Sequence, residues 1–97
     1  MLVTERETPE GLLVAVCDQD VLGETFEEGE ISLTVTEGFY GGEEVDAEHV
    51  VESLARADVA NIVGTRAVEL AVEEGFVDEG RVLEVDGTLH AQLLRLG

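Results

Sequence analysis

Val59-Ala-Asn-Ile-Val-Gly-Thr-Arg-Ala-Val-Glu-Leu-Ala-Val-Glu-Glu-Gly75 is the stretch on which the fold turns. Val59, Ile62, Val63, Ala67, Leu70 and Ala71 fall on one stripe of an α-helix. Asp58 suits its N-cap, and Gly75 suits the C′ position that ends it. Gly64 lies inside the pattern at a cost of about 1 kcal/mol relative to Ala. It marks either close packing against another backbone or a break between two shorter helices. Just upstream, Asp46 is the N-cap of an earlier helix whose apolar stripe is Ala47, Val50, Val51, Leu54 and Ala55. Glu52 and Arg56 stand four apart in the favourable order on that helix. Two consecutive helices are therefore predicted in the middle of the chain.

Strands flank them. Leu12-Leu-Val-Ala-Val-Cys17 is a continuous apolar run of strand length, which predicts a central strand buried on both faces. Leu2 to Arg6 alternates weakly and joins it through Thr8-Pro-Glu-Gly11, good turn chemistry for an N-terminal hairpin. Asp18 to Gly23 reads as a turn or one short helical turn, with Phe26 anchoring it to the core. Ile31, Leu33 and Val35 alternate with Ser32, Thr34 and Thr36, the pattern of a half-buried strand. At the far end Asp86-Gly87 predicts a two-residue hairpin turn. Val85 then pairs with Thr88, Glu84 with Leu89, Leu83 with His90 and Arg81 with Gln92. That register puts Arg81, Leu83, His90 and Gln92 on one sheet face. The expected fold is α+β in a single domain over residues 1–97. It has a small antiparallel or mixed sheet of about five strands, with hairpins at both ends and two consecutive helices packed on one face.

The chain has 97 residues with five Arg, no Lys and twenty-three Asp plus Glu, a formal net charge of −18. A disordered acidic chain would lack apolar residues, yet 44% are apolar here. The acids are scattered from Glu5 to Asp86 rather than gathered into a tail. This pattern reads as adaptation to molar salt, where the Debye length shrinks to roughly 3 Å and self-repulsion is screened. On such a background the overall charge says little about nucleic acid, and only local positive spots are informative. No run approaches the ~18–20 apolar residues of a membrane span. Glu5, Glu7 and Glu10 break any secretory signal. The single Cys17 excludes an internal disulfide and a Cys-rich zinc site. A soluble cytoplasmic protein without membrane attachment is expected.

Several stretches together carry a resemblance. They are Leu13-Val-Ala-Val-Cys-Asp18, Leu22-Gly-x-Thr-Phe26, Phe39-Tyr-Gly-Gly42, Ala60-Asn-Ile-Val-Gly-x-Arg-Ala-Val-Glu-Leu70 and the late His90-Ala-Gln. In combination they resemble the archaeal family called domain of unknown function 424, over nearly the whole chain. The resemblance implies a small cytoplasmic archaeal α+β protein, here a haloarchaeal member. It implies no activity and no catalytic residues.

The candidate binding residues are Phe39, Tyr40, Gly41, Gly42, Arg56, Asn61, Arg66 and His90. Phe39-Tyr-Gly-Gly42 sits in the loop Glu37 to Glu44. Adjacent aromatics with glycines can stack on a base or fill a partner's pocket. Equally, one ring can fold into the core while the glycines make a tight turn. Arg66 lies near the apolar stripe of the second helix, where it must snorkel, pair with a carboxylate such as Glu69, or bind an anion. Arg56 is expected nearby across the interhelix turn, forming one of the few positive corners. Ile62 to Ala67 faintly echoes a helix-hairpin-helix, whose backbone N–H groups bind phosphate, but it has only one of the two glycines. Ordinary helix packing explains it as well. Asn61 belongs to the same segment.

Cys17 ends an apolar strand and reads as a buried thiol. His49 lies among acids on the exposed side of the first helix. His90 faces Leu83 and reads as a packing or hydrogen-bonded residue. Asp18-x-Asp20 starts like a calcium loop, but Leu22 and Gly29 occupy positions that need oxygen ligands. Neither a metal site, a cofactor motif nor a catalytic triad is legible. The function expected is a non-enzymatic binding module in archaeal information processing, touching RNA or the translation apparatus. A protein-interaction subunit is the alternative, and a small enzyme using Cys17 or His90 is the third reading.

Overall fold

The computed structural model describes residues 1–95. Leu12 to Cys17 does form a central strand. β1 (Leu2–Thr8) and β2 (Gly11–Cys17) make the N-terminal hairpin, in a register that runs from Leu2 opposite Cys17 to Thr8 opposite Gly11. A 3-10 turn at Gln19–Val21 follows. β3 (Thr25–Glu28) and β4 (Ile31–Thr34) then pair with each other as a separate two-stranded sheet. Glu37 to Glu44 is not a loop throughout: it holds a helical turn, α1 (Glu37–Tyr40), and a short edge strand, β5 (Glu43–Glu44). α2 (Ala47–Arg56) starts where the sequence places it, with the Asp46 carboxylate accepting from the His49 N–H at 3.0 Å.

The main difference lies in the stretch from Val59 to Gly75. Val59–Val63 is a strand, β6, and only Thr65–Glu73 is helical, α3. Gly64 stands between them at φ +112°, a conformation that L side chains rarely adopt. The β-branched run Val59, Ile62, Val63 satisfies a helical stripe on paper, but a short apolar run fits a buried strand equally well. β6 runs parallel to β2, with Leu13 opposite Val59 and Cys17 opposite Val63. The two helices are therefore not consecutive; β6 separates them. β7 (Leu83–Val85) and β8 (Thr88–Leu94) form the predicted hairpin with Val85 opposite Thr88, Glu84 opposite Leu89 and Leu83 opposite His90. The ladder ends at Leu83, so Arg81 is not paired with Gln92. Arg81 belongs to a 3-10 turn at Glu79–Arg81.

The result is an α+β fold. A six-stranded mixed sheet has the order β5-β1-β2-β6-β8-β7, and the β2–β6 pair is its parallel one. Side chains alternate between the faces. On one face Val14, Val16, Ala60, Ile62 and Ala91 meet Val50 and Leu54 of α2 and Ala67, Val68 and Ala71 of α3. On the other face Leu2, Ala15, Cys17 and Val63 meet Val35 and Tyr40, with Phe26, Leu33 and Phe39 packed around them. This second core is smaller. The β3–β4 hairpin and α1 cover only one end of that face, and the other end is open.

Candidate functional site

Asp18 follows the last residue of β2 and is buried, with 5% of its surface exposed. Its Oδ2 accepts the Arg66 N–H and its Oδ1 accepts the Ala67 N–H, each at 2.9 Å. Its own N–H donates to the Val63 carbonyl at 3.1 Å. One carboxylate thus caps α3 and ties the ends of β2 and β6 together. A Cβ on Gly64 would lie 2.5 Å from the Asp18 Cγ, so the glycine makes room for this cap. Two of the backbone N–H groups that a phosphate would use at this helix start, those of Arg66 and Ala67, are already taken.

The two candidate arginines do not share a corner, because β6 and its flanking residues lie between them. Arg66 is exposed at the start of α3, beside a cavity of about 500 Å³ whose walls include Asp18, Asp20 and Glu44. Among the described residues it forms no ion pair with Glu69. Arg56, at the end of α2, pairs with Glu5 of β1 rather than with Glu52. The Ser53 hydroxyl also donates to Glu5, at 2.6 Å. Arg56 and the hydroxyl hold the Glu5 carboxyl below the usual carboxylate range.

The aromatic glycine segment is mostly structural. Tyr40 is buried in the second core, and burial pushes its phenol up to about 12. Phe39 is half-buried and meets Tyr40 edge-on at 4.9 Å between ring centroids. The Arg6 guanidinium lies over the Phe39 ring, 5.1 Å from its centroid, and donates to the Gly38 carbonyl. Gly41 and Gly42 serve close approach. A Cβ on Gly42 would sit 1.9 Å from the Val3 carbonyl oxygen, and one on Gly41 would sit 2.5 Å from that of Glu37. Cys17 is fully buried, and burial pushes its thiol up to about 11. That removes it as a ready nucleophile.

Asn61 and His90 do converge, on the open end of the sheet. Partners in register share a face, so Asn61 stands beside Gln92, and His90 beside Leu83. The Gln92 amide donates to the Asn61 Oδ1 at 2.9 Å. The His90 Nδ1 lies 3.1 Å from the Ile62 carbonyl oxygen, and burial lowers its imidazole pKa. Leu13, Val59, Leu83 and Leu94 surround this group and belong to neither core; Leu83 is 43% and Leu94 64% exposed. A cavity of about 420 Å³ opens here, lined by Arg81, Leu83, His90, Ala91, Gln92 and Leu94. The register predicted from Asp86-Gly87 brings most of that lining together. What the sequence reading missed is the exposure of Leu83 and Leu94, which follows from how far the β3–β4 hairpin reaches.

Charge separates this face from the rest of the molecule. On the face away from α2 and α3, the side chains of β1, β2, β6, β7 and β8 include no carboxylate. The nearest strand acid on it is Glu44, opposite Leu2 on the far edge strand. Arg95 is another residue that sequence reasoning did not single out. Its Nη1 donates to the carbonyls of Leu54, Ala55 and Ala57, closing the C-terminus of α2. Among the described residues no group of three or more His, Cys, Asp or Glu side chains is placed to hold a metal ion. No helix among them is long and apolar enough to cross a membrane.

Comparison with known proteins agrees with this architecture. The chain is similar to a solved structure described as an uncharacterized conserved protein from Methanopyrus kandleri. The identity is 25% and the TM-score 0.77, over 99% of this chain and 94% of that one. No curated protein matches. The family model described as Protein of unknown function (DUF424) matches residues 5–96. With almost its whole length covered by that model and a matching fold, the chain belongs to the DUF424 family.

Proposed function

We propose that this chain is a non-enzymatic binding module whose open sheet face docks another polypeptide. The contrast in charge supports this reading. On a chain of net charge −18, the β1, β2, β6, β7 and β8 side chains of one sheet face include no carboxylate, and Leu83 and Leu94 stand exposed there around a hydrogen-bonded amide pair. Burying a carboxylate at an interface costs free energy unless it is paired, and a partner seated here meets none. An uncovered apolar patch with a few amides has the composition of an interface centre.

The RNA-directed version of the module is less favoured. Base stacking is best served by exposed Phe, Tyr or Trp rings, and the strand side chains of the open face include none; its one aromatic ring, His90, is half-buried with Nδ1 against the Ile62 carbonyl. Phe39 and Tyr40 pack against each other, the Arg66 and Ala67 N–H groups are held by Asp18, and Arg56 is held by Glu5. A role in archaeal information processing, in a cytoplasm of molar salt, remains the setting of the proposal. The scattered acidity and the absence of Lys support the molar-salt part of that setting.

The test is affinity capture with tagged protein in about 3 M KCl, a salt level at which surface charge is screened. Leu94→Glu changes a residue that makes little core contact, so the fold is retained. Polypeptides captured by the parent chain and lost with Leu94→Glu support the reading. Undiminished capture by the variant refutes it, and RNA crosslinked to the parent chain but not to an Arg66→Ala variant would favour the RNA version instead.

A further inference from the structure

We infer that the cavity between β7 and β8 binds an aliphatic carboxylate, held by Arg81 and Gln92 against Leu83 and Leu94. This rests on the open face being the binding surface, and it names the group that anchors there. Four other cavities on the molecule each carry at least one Asp or Glu in their walls, whereas this one carries none. Among the described residues its own walls set no like charge against an anion, and the acid Asp78 lines the adjoining cavity that shares Arg81, Gln92 and Leu94.

The donors fit an acid. The turn that carries Arg81 is fixed by two bonds: the Asp78 Oδ1 accepts from the Gly80 N–H at 3.2 Å, and the Arg81 N–H donates to the Asp78 carbonyl at 2.9 Å. Among the described residues the Arg81 guanidinium has no side-chain partner. A guanidinium on a fixed turn presents a planar pair of donors suited to a carboxylate. Gln92 spends one amide N–H on Asn61 and keeps the other. His90 contributes the opposite polarity. A backbone carbonyl only accepts, so the Nδ1 beside Ile62 carries the hydrogen, and the neutral ring keeps Nε2 as an acceptor. The cavity therefore offers donors for the acid, an acceptor for an adjoining N–H, and two leucines for an aliphatic group. At about 420 Å³ it accommodates a residue of leucine size with its peptide unit. Both a free aliphatic acid and the C-terminal end of a polypeptide present this chemistry.

The experiment is a two-dimensional NMR titration of the intact chain with defined probes. These are N-acetyl-leucine, its amide, and a glycine-rich tetrapeptide ending in leucine with either a free or an amidated terminus. Shifts are expected at Leu83, His90, Gln92 and Leu94. Binding should weaken by about tenfold or more when the carboxylate is amidated, and by a similar factor in Arg81→Gln. Arg81 is exposed, so unchanged signals elsewhere will report an intact fold. Tighter binding of the peptide than of the acetylated amino acid identifies a chain terminus, and equal binding identifies a small acid; either supports the inference. Equal binding of acid and amide, no effect of Arg81→Gln, or no shifts at millimolar probe overturns it. If the titration fails while Leu94→Glu still abolishes polypeptide capture, the anchor chemistry is wrong and the docking face stands. If both fail, the face itself is refuted.

Discussion

Truncating Asp18 tests how the sheet and α3 are joined. Asp18→Ala removes two acceptors at 2.9 Å and leaves the N–H groups of Arg66 and Ala67 without partners. Loss of a helix cap costs about 1 kcal/mol. Ala67 is buried, and a buried donor left unpaired adds about 1–3 kcal/mol. The sum is about 3 kcal/mol, or a fall of roughly 12–24 °C in Tm at 4–8 °C per kcal/mol for a domain of this size. Asp18→Asn keeps one acceptor oxygen and the shape, but turns an amide N–H toward one of the two backbone donors and loses the favourable charge at the helix start, so about 2 kcal/mol is expected. Gly64 supplies the internal control. Gly64→Ala forces a Cβ to within 2.5 Å of the Asp18 Cγ and 2.6 Å of its Oδ2, at a φ of +112°. In an Asp18→Ala background those two contacts vanish and only the approach to the Asp18 Cβ at 2.8 Å remains. The penalty of Gly64→Ala should then shrink by about 1 kcal/mol, a coupling that a double-mutant cycle measures directly. Equilibrium denaturation followed by circular dichroism, at one fixed KCl concentration, gives all four corners. A loss below about 1 kcal/mol for Asp18→Ala, or strict additivity with Gly64→Ala, would refute the argument.

Three further outcomes follow from other parts of the molecule. Arg95→Ala should cost about 1–2 kcal/mol in the same denaturation assay, because it takes the guanidinium from the Ala55 and Ala57 carbonyls and leaves that of Leu54 with the Ala57 N–H alone. Cys17 should resist thiol reagents at pH 8 in the folded protein and react after unfolding. Because its folded pKa is raised from 9.0 to about 11, the unfolded thiol ionises first, so stability should decline as pH rises above 9.0. Lowering KCl from about 3 M to about 0.1 M should unfold the chain or sharply lower its Tm, and unchanged ellipticity at low salt would count against adaptation to molar salt.

The strands and turns with local signatures were legible. Leu12 to Cys17 has apolar residues for both faces, Asp86-Gly87 dictates its turn, and Asp46 caps α2, each within a few residues of its cause. Val59 to Val63 points to helix in the sequence because its β-branched residues fit a helical stripe that continues smoothly into α3. The informative signal was Gly64, whose cost inside a helix disappears once it is a strand-to-helix turn. The site divides in the same way. His90 and Gln92 were placed on one face by the hairpin register, and Asn61 joins them through β6. Arg56 and Arg66 would share a corner only if a helix ran on from Val59, and the strand β6 separates them instead. Asp18 could not be found by pattern, since its partners lie 48 and 49 residues away.

The parallel pairing of β2 with β6 also bears on how the chain folds. The strands are adjacent in the sheet, yet the chain between them builds the β3–β4 hairpin, α1, β5 and α2. Joining them requires closing a long loop before any of the central contacts form, which slows the search for the native state. Once closed, β2 and β6 have neighbours on both sides and are largely buried, whereas the β3–β4 hairpin stands apart as its own small, largely exposed sheet. Native-state hydrogen exchange should therefore resolve two cooperative units. Amides of β2 and β6 exchange only through global unfolding, while those of β3 and β4 exchange through a cheaper local opening that bares Cys17, Val35 and Tyr40.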